Sequence, residues 1–123
     1  MSNIHRIFII AALAACYQPT VSIAEDNAQQ IAQGKEIFNA ICVRCHTTEE
    51  EGKVGPGLQG ISKRHSKAWI NTWLKSPKTL IDSGDPAAIK LKEDNKYGIT
   101  MPTLPVMQSD EKREAIIAYL MTL

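Results

Sequence analysis

No stretch of the 123-residue chain alternates apolar and polar side chains with period two, which argues against β-sheet. Internal repeats and low-complexity segments are missing too, and the length suits one small domain rather than two with independent cores. Long apolar runs are also lacking. The most extended, Ile7 to Tyr17, is roughly half of the ~20 residues that cross a bilayer, so no transmembrane span is expected. Neither sign of charge dominates, with 14 Lys and Arg against 13 Asp and Glu and a formal net charge of +1. Nucleic acid is therefore not among the expected partners. Cysteine is scarce, three in all, and only Cys42 and Cys45 lie beyond the first two dozen residues.

Those first residues differ from the rest. His5 and Arg6 make a basic end, the apolar run follows, and Val21 to Ala24 ends in small residues before the charged pair Glu25-Asp26. This is the anatomy of a secretory signal peptide, expected to span 1–24 and to leave a mature domain at 25–123. Leu13-Ala14-Ala15-Cys16 carries a second reading, a lipoprotein signal at 1–15 with a lipid anchor on Cys16. Either way the protein is expected outside the cytoplasm, periplasmic or otherwise exported, and soluble or tethered to a membrane.

Along the mature chain, three- and four-residue apolar steps predict a helix over 27–40, with Ile31 and Phe38 on one face. Glu49 to Gly57, a charge run followed by three Gly and one Pro, is expected to be loop. Ser66 can cap a short helix to about Leu74, stopped by Ser76-Pro77. Asp85-Pro86 begins a third. Tyr97 to Gln108, with one Gly and two Pro, reads as irregular loop, and Ser109-Asp110-Glu111 caps a last helix with Ile116, Tyr119, Leu120 and Leu123 on one face. An all-α fold of three to five short helices has a meagre core. Something besides side chains is expected to fill the interior.

Cys42-Val43-Arg44-Cys45-His46 is the motif that carries chemistry. The spacing C-x-x-C-H is that of covalent haem attachment. Two thiols on one turn can each form a thioether with a vinyl group, and the adjacent His then lies under the ring to bind iron. Rival readings lack support. A thioredoxin-like pair sits in a βαβ context, and a structural zinc site wants four ligands, for which only His65 would remain.

In these residues and the motifs around them, the chain resembles class I cytochromes c over residues 28–123. The likeness is carried by Gly34 to Phe38, the C-x-x-C-H motif, Gly55-Pro56-Gly57-Leu58, Met101-Pro102 and Glu114 to Leu120, in that order. The resemblance implies a small cytochrome c fold wrapped around one haem c, with Cys42 and Cys45 as attachment points and His46 as one axial iron ligand. It further implies that the first and last helices cross, Gly34 allowing close approach and Phe38 meeting Tyr119, and that the Pro56 carbonyl accepts a hydrogen bond from His46. Such an acceptor on Nδ1 orients the imidazole and makes Nε2 the better donor to iron.

The sixth ligand is expected to be Met101, since Pro102 forbids helix and holds the preceding residue extended, and the family pattern places Met-Pro before the last helix. Met107 is the alternative. Met121, near the end of the last helix, and Met107, just before that helix, also suit packing. His65, in the hydrophilic stretch Ser62 to Ser66, is expected to be solvated. Trp69 and Trp73 are expected to pack against haem or core, while Asn95 and Tyr97 stand where they can shape the Met loop. Gly52 to Ile81 holds six basic and no acidic residues, whereas Glu25 to Glu51 holds six acidic and two basic ones. Such asymmetry can neutralise propionates or steer a partner.

With both axial positions filled by protein, the function implied is that of a one-electron carrier docking transiently with redox proteins, not an enzyme. Alternatives are a dedicated subunit or accessory factor of a terminal oxidase or denitrification reductase, and a haem sensor. A di-haem peroxidase is excluded by the single C-x-x-C-H motif.

Overall fold

The N-terminal end of a helix favours negative charge, and Glu25 and Asp26 occupy the first turn of α1, which runs Ile23–Ala40. It starts at Ile23 rather than at the Asn27 read from apolar spacing. The computed structural model describes residues 23–123. The apolar run at Ile7 to Tyr17 and Cys16, on which the alternative reading places a lipid, lie outside the described residues.

Four side chains then punctuate the chain by the same device, an oxygen accepting an orphan backbone N–H of a first helical turn. Ser66 accepts from Trp69 and starts α3, Lys67–Lys75. Ser76 closes that helix and at once accepts from Thr79 to start α4, Pro77–Asp82. Asp85 accepts from Ala88 and starts α5, Pro86–Glu93. Ser109 accepts from Lys112 and starts α6, Asp110–Leu120. Between α1 and α3 lies the single turn α2, Ile61–Arg64, whose Ile61 is buried. Among the described residues there are thus six α-helices and no strand. The all-α class is as expected, and the count exceeds three to five by the one-turn α2 or by α4. Ser76-Pro77 does stop α3 as expected, but Pro at the first helical position sacrifices no hydrogen bond, so the same pair also begins α4. The expected loop at Tyr97 to Gln108 is irregular except for a 3-10 turn at Pro105–Gln108.

The core forms where α1 crosses α6. A Cβ on Gly34 would run into the carbonyl oxygen of Ala115 and lie 2.8 Å from Tyr119 Cβ, so only glycine lets the two backbones come this close. One turn further along, Phe38 meets Tyr119 with ring centroids 5.5 Å apart and planes tilted by 57°, a favourable edge-on geometry. Ile70 and Leu74 of α3, Ile116 and Leu120 of α6, and Met107 complete the buried cluster. Arg113 is the buried charged residue among the described residues. Its guanidinium donates to Asn71 Oδ1 at 3.0 Å and to the Met107 carbonyl at 2.6 Å and pairs with the exposed Asp110 carboxylate. It therefore joins α3, the 3-10 turn and α6 at the end of the Met101 loop, with its buried donors satisfied.

Candidate functional site

Once α1 ends at Ala40, the chain tightens into a 3-10 turn over Cys42–Arg44, and the N–H groups of Cys45 and His46 both bond the Cys42 carbonyl, at 3.1 and 2.9 Å. This turn brings both thiols and the His46 ring to one cavity. Cys42 is half-buried and Cys45 exposed, and the two are not bridged. Burial pushes the Cys42 thiol up to about 11, so it is protonated at neutral pH. A thiol pair used for disulfide exchange has the opposite shift, which agrees with the absence of any βαβ unit among the described residues.

His46 Nδ1 lies 2.8 Å from the Pro56 carbonyl. A carbonyl can only accept, so Nδ1 carries the proton and Nε2 keeps its lone pair. Desolvation lowers the His46 pKa, opposed in part by that hydrogen bond, and the neutral imidazole is the form that binds metal. The ring lies flat against Gly55, where a Cβ would come within 2.8 Å of Nδ1 and 2.9 Å of Nε2. The loop is closed by Gly55 N–H donating to the Cys45 carbonyl at 2.8 Å and by Leu58 N–H donating to that of Thr47 at 3.0 Å.

From α3 come two indoles. Trp69 and Trp73, one helical turn apart, stack with centroids 5.4 Å apart. Trp69 Nε1 donates to Asp85 Oδ1 at 3.1 Å. Asp85 also accepts from Ala88 N–H, and these two donors hold its carboxyl below the usual range, the backbone bond contributing more. Trp73 Nε1 donates to Met101 Sδ at 3.2 Å, fixing the thioether at the cavity that His46 also lines. Met107, by contrast, is 1 % exposed in the core, and Met121 packs against the same cluster. Neither borders the cavity. His65 departs from its solvated expectation: it is half-buried, borders the cavity and stacks on Trp69 at 4.0 Å between centroids. The hydrophilic neighbours that suggested a surface position are exposed, but a ring with an apolar face is retained by the indole beside it.

The cavity measures about 210 Å³ and is bounded by α1, α2, α3, α5, α6 and both loops. Phe38, Leu58, Ile70, Leu74, Ile116 and Leu120 give it apolar walls, while Arg64 and Lys92 stand at its border. A flat apolar ring with two reactive vinyl groups, a metal centre and anionic side arms fits this donor set. Two thiols share one turn, an oriented imidazole and a held thioether face the same space, and cations stand at its border. Gly55 leaves room for the imidazole plane where any Cβ would displace it.

The comparisons agree with this geometry. The cytochrome c family model matches residues 31–123. The chain is 35 % identical to cytochrome c2 of Rhodopila globiformis over 98 residues, covering 74 % of this chain and 91 % of that protein. It is 32 % identical to cytochrome c-551 of Bacillus subtilis over 63 residues, 47 % of this chain and 56 % of that one. Among solved structures, cytochrome c from Rhodothermus marinus superposes with a TM-score of 0.66 at 30 % identity, covering 76 % of this chain and 75 % of that one. A matched family model over most of the chain, the shared fold and a cavity served by C-x-x-C-H lead to one conclusion: this chain belongs to the cytochrome c family, electron-transfer proteins that carry covalently bound haem c.

Proposed function

We propose that residues 1–24 direct export, that the mature domain at 25–123 holds haem through thioethers at Cys42 and Cys45 with His46 and Met101 as axial ligands, and that it shuttles single electrons between redox proteins in the periplasm. Haem, once bound, would supply a one-electron couple. The chain's own residues do the rest. The Pro56 carbonyl keeps the Nδ1 proton, so that Nε2 is the free donor; Trp73 holds the Met101 sulfur; and the apolar walls exclude water from the ring. If His46 and Met101 both hold the iron, they would leave no place on it for a substrate, and the chemistry the group would supply is outer-sphere electron transfer. Export is supported by the signal-like leader at 1–24, and no described helix is long and apolar enough to cross a membrane.

The observation that carries this reading is that His46 and Met101, far apart in sequence, line one cavity with both thiols of the C-x-x-C-H turn. Met101→Ala is the test. Loss of the sulfur-to-iron absorption band near the red end of the visible spectrum is expected, together with a lower reduction potential, because Met/His ligation raises the potential relative to harder ligands. Retention of the band in Met101→Ala would remove Met101 from the ligand set, whereas the core position of Met107 predicts that Met107→Leu keeps the band.

A further inference from the structure

Asn95 follows α5 by two residues and is half-buried. Both ends of its side-chain amide are used. Oδ1 accepts from Tyr97 N–H at 2.9 Å and from Ile99 N–H at 3.2 Å, closing the start of the Met101 loop into a turn that Gly98 N–H reinforces by donating to the Asn95 carbonyl. Nδ2 crosses to the Val54 carbonyl at 2.9 Å, a contact between residues 41 apart in sequence. The orientation of the amide is unambiguous, because a backbone N–H only donates and a carbonyl only accepts. Two residues beyond Val54 stands Pro56, whose carbonyl orients His46. Two residues beyond Ile99 stands Met101, whose sulfur is held by Trp73.

We infer that Asn95 is a positioning residue, its side-chain amide pinning the Met101 loop to the loop that orients His46. The inference rests on the proposed axial pair. The far end of the Met101 loop is anchored separately, where Arg113 binds the Met107 carbonyl and Gln108 Nε2 donates to the Lys75 carbonyl at 3.0 Å. The near end has Asn95. Tyr97 and Ile99 are both about half exposed, so apolar burial does little to hold this part of the loop.

Asn95→Asp separates the two jobs of the amide. The carboxylate still accepts from Tyr97 and Ile99, but it has no donor for Val54, which then faces an acceptor. Asn95→Ala removes both sets of bonds. The measurement is titration of the ferric, haem-loaded full chain with imidazole, which competes with Met101 for the iron, followed through the sulfur-to-iron band in high salt so that the added charge is screened. Loss of one hydrogen bond is expected to tighten apparent imidazole binding by about five- to tenfold in Asn95→Asp, and by at least as much in Asn95→Ala. Ile117→Val, a core change away from the cavity, is expected to leave the titration at the parental value. An Asn95→Asp protein with parental imidazole affinity overturns the inference and leaves the axial pair standing. So does an Ile117→Val protein shifted as far as Asn95→Asp, since the effect would then be one of general loosening. A parental protein that lacks the band and binds imidazole no differently from Met101→Ala overturns the axial pair and the inference with it.

Discussion

A Cys42→Ser, Cys45→Ser double variant, expressed in a host that attaches haem, is expected to have the mass of the bare chain and to lose its colour on denaturation and acid extraction. Each thioether needs one sulfur adding across one vinyl group, and a serine oxygen is no substitute nucleophile for that addition. The described residues hold only these two thiols, one turn apart and both at the cavity, so removal of both takes covalently held haem from full to none. Either single variant keeps one sulfur beside the cavity and is expected to retain haem mass through one bond. Intact mass spectrometry after denaturation reads all three proteins. A double variant that still carries haem mass would place the attachment elsewhere. Folding is expected to suffer as well, because the cavity walls then lack the packing contacts that a ring filling the cavity would supply.

Gly34→Val is the second large effect, and it concerns the scaffold rather than the attachment. The crossing of α1 and α6 brings the Ala115 carbonyl oxygen and the Tyr119 Cβ against Gly34, the latter 2.8 Å from any Cβ placed there. The obstacles are backbone and the root of a side chain, which no rotamer change clears. The helices must separate, and the Phe38 to Tyr119 contact and the burial of Ile116, which is 0 % exposed, go with them. A destabilisation of about 3 kcal/mol or more is expected, at or above the upper end for overpacking in a core, visible as a lower denaturant midpoint or as failure to accumulate. Gly34→Ala carries only the first carbon and is expected to lie between parent and valine. A valine variant as stable as the parent would mean that the crossing is wider than described.

Much of the site was legible because it is local. Five consecutive residues, Cys42 to His46, state the attachment chemistry without reference to the fold. The caps at Ser66, Asp85 and Ser109 are legible for the same reason: a side chain that bonds the backbone three residues on needs no distant partner. Ser76 was legible as a stop and not as a start, since α4 depends on the packing of a short segment against its neighbours. Contacts that cross the fold left weaker marks. Gly34 and Phe38 were tied to the last helix by resemblance rather than by periodicity, which marks an apolar face without saying what covers it. Met101 is favoured over Met107 in the sequence by Pro102, which holds the residue before it extended, and by the family pattern, but only the packing that buries Met107 and turns Met101 to Trp73 shows where each side chain lies. His65 departs from its expectation because its neighbours in sequence are hydrophilic while in space it lies on an indole, Trp69.

The two stacked indoles on α3 have a practical consequence. Trp69 and Trp73 are the only tryptophans in the chain, and both border the cavity, within easy range of energy transfer to a porphyrin. In the loaded, folded protein their ultraviolet emission is expected to be quenched, and to return as the chain opens and the indoles move away from the ring. The loaded molecule would thus carry its own optical gauge of folding, dark when native and bright when unfolded, with no added dye.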